Sequence, residues 1–529
     1  MLFALKNERE SPLIVNKMKN KEILILFICF LIGFALRFYT FDKKSLWIDE
    51  IYTFQGSRDG FDNQLKFYKE NPTFLHPPLF FVLTHLFYPF SKPERDIRII
   101  PVVFGALSVI MIYFLAKQFS PSIALPCAVS LTFMTYHISL SQDARSYSLL
   151  MCFGMTGLYF FLKYLKTSKK RYLLLVALFF SALFYTSYSS IPFIFLSQLL
   201  WFYHLDDEAK KPNLFSFLIL NGLIFVCCLP WIAYSAMNYN GQPVMDPYHT
   251  ENPGSFWHIL YSLIHDWAPH IPLMIISAFL LLLFPFFSKN KKNAILLLAI
   301  LILPVGGLHL FCRFFNVTHF VGSKYFINLL PLFFITLYLS LDSIELKFDR
   351  LRRCLRFKLL FVIILITSNL IMLPLYYRSE KQNFRDLVFF LKTQLQEGDK
   401  IMDLERMSTL GILYYFGIIP ERRHYTIDFM NISGKEIDYR KSFLYGKKKF
   451  TIYHSTKCCD QYVSGEGRTW IVTSKWGAKK IKDDLPCAWV GYFEGSFYSI
   501  TLFPSDASIY LFLLDPKSPN IPGMKMPSE

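Results

Sequence analysis

The chain has 529 residues, 53% of them hydrophobic and only 18% charged, with a mean hydropathy of +0.33. A soluble chain of this length carries about 25% charged residues and cannot bury so many long apolar helices, so a water-soluble multidomain protein is excluded. The net charge of +17 lies in short clusters between apolar runs; this is membrane topology and not a nucleic-acid surface.

Apolar runs long enough to cross a bilayer predict about eleven transmembrane helices, near 22–41, 98–116, 122–140, 148–165, 172–188, 190–204, 213–232, 271–287, 294–311, 325–340 and 359–377. The stretch Tyr172–Tyr203 is too long for one helix, and Ser187-Tyr188-Ser189-Ser190 before Pro192 offers the break. Charge supports this count. With Lys17, Lys19 and Lys21 inside, the five further inward segments all carry Lys or Arg, among them Lys169-Lys170-Arg171 and the Arg350–Arg356 cluster. Cytoplasmic loops favour these residues, so the N-terminus is placed in the cytoplasm. The first run is not a cleaved signal, because Arg37-Phe38-Tyr39-Thr40-Phe41 follows it where small residues would be needed.

A long external loop, about 42–97, follows the first span, and shorter ones lie at Ser141–Tyr147, 233–270 and 312–324. From 378 to 529 the composition changes. Asn383–Gln396 has apolar residues at helical spacing, while Lys400-Ile401-Met402, Thr469–Thr473 and Phe497–Phe503 read as strands. Two parts follow: a transmembrane domain over 1–377 and a small extracytoplasmic α/β domain over 378–529. The ten cysteines show no zinc spacing. In an oxidising compartment one disulfide, Cys458 or Cys459 with Cys487, is open to the tail.

The outward loops hold the informative residues. Asp49-Glu50 is an acidic pair just past the first span. One carboxylate can take a proton from an acceptor while the other positions it or binds a cation, although two solvated acids look the same. His76-Pro77-Pro78-Leu79 stiffens the same loop around a histidine. Asp143 and Arg145 sit in the run Ser141-Gln142-Asp143-Ala144-Arg145-Ser146-Tyr147, almost without a loop between two spans. Charges near spans are costly and often functional, and an arginine there suits a lipid phosphate; interfacial snorkelling is the plainer reading. Lys324, in Gly322-Ser323-Lys324-Tyr325, is a further outer cation.

In this order the motifs resemble the GT-C glycosyltransferases, in the branch of dolichyl-phosphate-mannose protein mannosyltransferase-like and aminoarabinose-transferase-like enzymes. The residues that carry the resemblance are Leu46-Trp47-Ile48-Asp49-Glu50, His76-Pro77-Pro78-Leu79, Arg98-Ile99-Ile100-Pro101 and the Tyr136–Tyr147 run. It is dense over about 22–205 and thin beyond. It implies an inverting transfer of a sugar from a polyprenyl-phosphate donor to a lipid, glycan or protein acceptor at the outer face of the plasma (inner) membrane. Asp49 would be the general base, with Glu50 positioning the acceptor or a cation. Arg145 and Tyr147 would bind the donor phosphate, Lys324 would assist, His76 would shape the pocket and Asp143 would orient Arg145. The chain departs from the family pattern at Asp143, where Glu is frequent, and at Lys324, where Arg is frequent. No cofactor is certain, and participation of a divalent cation stays open. Two other classes fit a polytopic chain: a transporter or flippase of lipid-linked sugars, disfavoured by the lack of repeats, and a scaffold that anchors the tail.

Overall fold

A computed structural model describes residues 20–70, 76–203, 214–238, 256–314, 321–347, 356–404, 408–418, 438–455, 467–475, 477–478, 481, 488–496 and 506–515. The expected strand at Phe497–Phe503 and the cysteines 458, 459 and 487 lie outside them.

Helical segments stand at all eleven positions expected of spans. Among the described residues six are long and apolar enough to cross a membrane: Pro93–Phe119, Tyr147–Thr167, Leu214–Asn238, Lys291–Phe314, Ser323–Lys347 and Phe357–Arg378. Two bent pairs raise this to eight if each is one span. The first helix, Asn20–Phe38, turns Ile23, Leu24, Phe27, Ile28 and Leu31 outward, yet it carries Lys21, Glu22 and Arg37. Lys170–Thr186 has 17 residues. The segment Tyr188–Phe202 is split into short α and 3₁₀ turns. Length and charge thus keep these last three below the measure of an ordinary span, and the expected count of eleven is not fixed by the helices alone.

The bent pair Pro121–Phe133 and Thr135–Ser141 turns by 61°, and its break matters for the site. Breaking a helix frees backbone groups that have no water to bind inside a membrane. Here side chains of two other helices bind them. Arg37 Nη2 donates to Leu131 O at 2.9 Å, and its Nη1 donates to Thr132 O at 3.3 Å and Gly33 O at 2.9 Å. His137 Nδ1 accepts from Arg37 Nη2 at 2.7 Å. Asn369 Oδ1 takes the Thr135 N–H at 2.9 Å. The short second half then lies so close to Ile99–Phe119 that a Cβ on Gly105 would come within 2.2 Å of Ser141 Oγ, so only glycine fits. Beyond it, Gln142 Nε2 donates to the carbonyls of Arg37 (2.9 Å) and Tyr39 (2.6 Å), and Tyr376 Oη donates to Gln142 Oε1 at 2.9 Å. The result is a fixed starting point for Asp143-Ala144-Arg145.

The tail contains a six-stranded sheet in the order β2-β3-β1-β4-β6-β5. Its strands are β1 (Lys400–Asp403), β2 (Asp438–Tyr445), β3 (Lys448–Ser455), β4 (Thr469–Thr473), β5 (Ala488–Phe493) and β6 (Ile509–Leu514). β3, β1 and β4 run parallel, with antiparallel pairs at both edges. Every residue of β4 and β6 is buried, as expected of strands covered on both faces. Helix Phe384–Gln394 packs its Phe384, Leu387, Val388 and Leu391 inward, and Asn383 caps it by accepting the Asp386 N–H at 3.3 Å.

The tail is not a separate body hung on the last helix. Leu46, Trp47, Ile51 and Ala144 of the loop regions share one buried apolar cluster with Leu387, Leu410 and Ile452 of the tail. This core crosses position 377, the boundary expected from sequence.

Candidate functional site

Helix Ile48–Arg58 begins the first loop, and its first turn carries both acids of the pair. Acidic residues suit that position because the helix N-terminus is electropositive. Consecutive residues on a helix face directions about 100° apart, so Asp49 and Glu50 enter different environments.

Glu50 turns inward and is wholly enclosed. Arg98 grips it with Nη2 at 2.5 Å from Oε2 and Nε at 2.7 Å from Oε1. The Ala144 N–H donates to Oε1 at 2.8 Å, and the Trp47 N–H donates to Oε2 at 3.4 Å. The remaining Arg98 donors reach the carbonyls of Phe41, Lys44 and Ser45. A carboxylate bound on both oxygens has little capacity left for an acceptor or a cation. Sequence reasoning gave Glu50 that task; its place in the structure is instead at the joint between the 41–50 segment and the 143–145 turn.

Asp49 is open. Its side chain is 30% exposed, and that of Arg145 is 26% exposed. Arg145 Nε lies 3.9 Å from Asp49 Oδ2, and Nη1 lies 3.5 Å from the Asp49 carbonyl. Both distances exceed an ordinary charge-assisted hydrogen bond of about 2.7–2.9 Å. The two groups compensate each other's charge without saturating their bonding capacity.

Lys324 completes this side. Its Nζ lies 5.4 Å from the ring centroid of Trp47, 5.9 Å from that of Tyr147 and 5.6 Å from that of Tyr325. Ring faces attract a cation without discharging it as a carboxylate would. Ser323 beside it is fixed by the Tyr136 hydroxyl at 2.7 Å and by a short hydrogen bond to Asp266.

Asp143 is buried and divided between two partners. Trp47 Nε1 donates to Oδ1 at 2.8 Å, and Lys381 Nζ donates to Oδ2 at 2.8 Å. Burial alone would raise this carboxyl. The Lys381 charge, helped by the two hydrogen bonds and by Lys324, outweighs burial and holds it below its ordinary value. Asp143 therefore binds Trp47 and Lys381, where orientation of Arg145 was expected of it.

The structure thus brings Asp49, Asp143, Arg145, Tyr147 and Lys324 together. His76 is exposed, with its ring 6.5 Å from that of Phe81. Sequence reasoning missed Lys381 and the pairing of Arg98 with Glu50. One signal was available for Lys381. It follows the last apolar helix on the side that should lack lysines, and a cation there needs an anionic partner. Among the described residues no group of three or more His, Cys, Asp or Glu side chains could hold a metal ion.

Comparison with known proteins extends this geometry. Residues 75–234 match the family model of dolichyl-phosphate-mannose-protein mannosyltransferase. The crystal structure of ArnT from Cupriavidus metallidurans bound to undecaprenyl phosphate superposes with a TM-score of 0.50, covering 93% of this chain and 98% of that one at 12% identity. The chain has the GT-C glycosyltransferase fold. The apo ArnT structure superposes with the same TM-score, 0.50, at 10% identity, covering 93% of this chain and 97% of that one. An Archaeoglobus fulgidus oligosaccharyltransferase shows a TM-score of 0.41 at 12% identity, over 74% of this chain and 61% of that one. The search of curated proteins gave no match. Within the GT-C fold the family match includes His76, Asp143, Arg145 and Tyr147, and it stops short of Asp49, Lys324 and Lys381 on either side. Contacts join those three to the matched residues.

Proposed function

We propose that this protein transfers a sugar from a polyprenyl-phosphate carrier to an acceptor at the outer surface of the membrane, with inversion at the anomeric carbon. The observation that carries the reading is the pairing of an open carboxylate, Asp49, with an unsaturated guanidinium, Arg145, beside the aromatic-lined Lys324. Charge supports it too. Arg145, Lys324 and Lys381 face Asp49 and Asp143, while Glu50 and Arg98 cancel, which leaves one surplus positive charge for the donor phosphodiester.

In this reading the acceptor hydroxyl or amine gives its proton to Asp49 as it attacks the anomeric carbon. The bond from that carbon to the phosphate oxygen breaks, and polyprenyl phosphate leaves with one more negative charge than the donor phosphate had. Arg145 and Lys324 stabilise that charge where it develops. Arg145 also links donor and base: it lies 3.9 Å from the Asp49 carboxylate, so a phosphate that draws the guanidinium away frees that carboxylate for the acceptor. Glu50 and Arg98 hold the loop in place and take no part in proton transfer. The basic inward segments support a cytoplasmic N-terminus, with the first loop and the tail outside.

The test is sugar transfer in membranes carrying Asp49→Asn or Arg145→Ala. Both variants should lose transfer, and Arg145→Ala should also weaken retention of undecaprenyl phosphate. Full transfer by either variant would remove the assignment.

A further inference from the structure

Lys381 belongs to a short strap, residues 380–385, that leaves the last apolar helix and crosses the entrance to helix Ile48–Arg58. Four contacts fasten it. Glu380 Oε2 accepts the Ser45 N–H at 2.9 Å, and Gln382 Oε1 accepts the Ile48 N–H at 3.0 Å. Arg385 donates to the Lys43 carbonyl, and its own N–H reaches Ser45 Oγ at 3.4 Å. The tail sheet presses on the strap from behind. The Ser496 N–H donates to Glu380 O at 2.8 Å, and a Cβ on Gly495 would come within 2.4 Å of the Lys381 carbonyl. Lys381 itself is buried and bound to Asp143, with Trp47 beneath it at 5.3 Å.

The position of Lys381 decides where the other cations point. Asp143 is bonded to the indole of Trp47, and Lys324 stands 5.4 Å from the centroid of that same ring. Without Lys381 the buried Asp143 would keep the Trp47 N–H but lose its counter-charge, which is strongly unfavourable, so it would draw Lys324 to itself. With Lys381 in place, Lys324 stays in its ring of aromatics and remains available to a ligand.

We infer that Lys381 is a positioning residue of the transfer site: the tail supplies it to neutralise Asp143, and by doing so keeps Lys324 free for the phosphate of the lipid carrier. This rests on the proposed function, because it presumes that a phosphate is what the cations receive. It gives the tail a direct part in donor binding.

The experiment uses the full chain in nanodiscs with undecaprenyl phosphate as the probe. Lys381→Met should weaken binding about tenfold, within the usual range of coupling between neighbouring charges. The double variant Lys381→Met with Asp143→Asn should recover to within about threefold of the parent, since the stranded carboxylate is gone. Lys381→Arg should bind like the parent. A purely structural strap contact predicts the reverse for the double variant, which would lose both partners and bind no better than the single one. Unchanged binding by Lys381→Met, or no recovery in the double variant, overturns the inference while leaving the function intact. Failure of the parent protein to bind the probe overturns the function, and the inference falls with it.

Discussion

Two neighbouring carboxylates, each facing an arginine, divide the labour of this molecule. Glu50 and Arg98 are 0% and 2% exposed and meet at 2.5 Å. Asp49 and Arg145 are 30% and 26% exposed and meet at 3.9 Å. The residue types are almost the same, but the first pair is saturated by the protein and the second is not. A charged pair whose bonds are all made inside the fold can only hold the fold together. A pair whose bonds are left loose has something to offer a substrate.

Breaking the open pair should abolish chemistry and leave the fold intact. Asp49→Asn should lower transfer by about 10²–10⁴-fold, the usual contribution of a positioned base. Its thermal unfolding should stay within about 0.5 kcal/mol of the parent, as for other partly exposed positions. Loss of activity accompanied by loss of folded protein would mean that Asp49 is structural after all.

Breaking the closed pair should do the opposite. Arg98→Ala strands a buried Glu50 and leaves the carbonyls of Phe41, Lys44 and Ser45 without their donor. Removing one member of a buried pair destabilises by about 3–5 kcal/mol, read as a lowered unfolding midpoint and poor recovery from the membrane. A well-folded but inactive Arg98→Ala protein would move this arginine to the open class.

A milder break comes from the tail. Gly495→Ala places a methyl group against the Lys381 carbonyl, and the strap must shift. Overpacking of this kind costs about 1–3 kcal/mol. Undecaprenyl phosphate binding should fall in step with stability; a stable variant with unchanged binding would show that the strap gives way harmlessly.

The contrast between the pairs was only half legible in the sequence. Asp49, Arg145 and Lys324 could be grouped because each lies just outside an apolar run, and run length with charge parity puts those ends on one side. Strands at Lys400–Met402 and Thr469–Thr473 were legible for the same local reason, their composition and spacing. The surroundings of Glu50 were not legible because adjacency in sequence says nothing about direction: one step along a helix carries it from the surface to the core. The partners that the tail gives the first loop were invisible. The Leu46 N–H donates to the Tyr415 hydroxyl at 2.7 Å across 369 positions, and no periodicity records which tail residue meets which loop. The 61° break that aims Asp143 and Arg145 was hidden too, since Arg37 satisfies it from a different helix.

The last test concerns Lys44, next to the strap, and asks how firmly burial governs the closed region. Its Nζ donates to the Tyr376 carbonyl at 2.6 Å and sits 3.5 Å from that residue's ring centroid. Burial, with the nearby Lys381 and Arg98 charges, lowers its pKa from 10.5 to about 7 against the opposing pull of Glu380 and Glu50. The unfolded chain holds this proton up to the ordinary lysine range, and the folded chain releases it near 7. Stability therefore rises with pH between those values: the unfavourable contribution of a charged Lys44 is fully present below about 7 and fades towards 10.5. Lys44→Met removes the charge at every pH, so its unfolding midpoint should gain on the parent more at pH 6 than at pH 9. An equal gap at the two values would mean that Lys44 keeps its charge throughout, with the Tyr376 carbonyl and ring making good the loss of water.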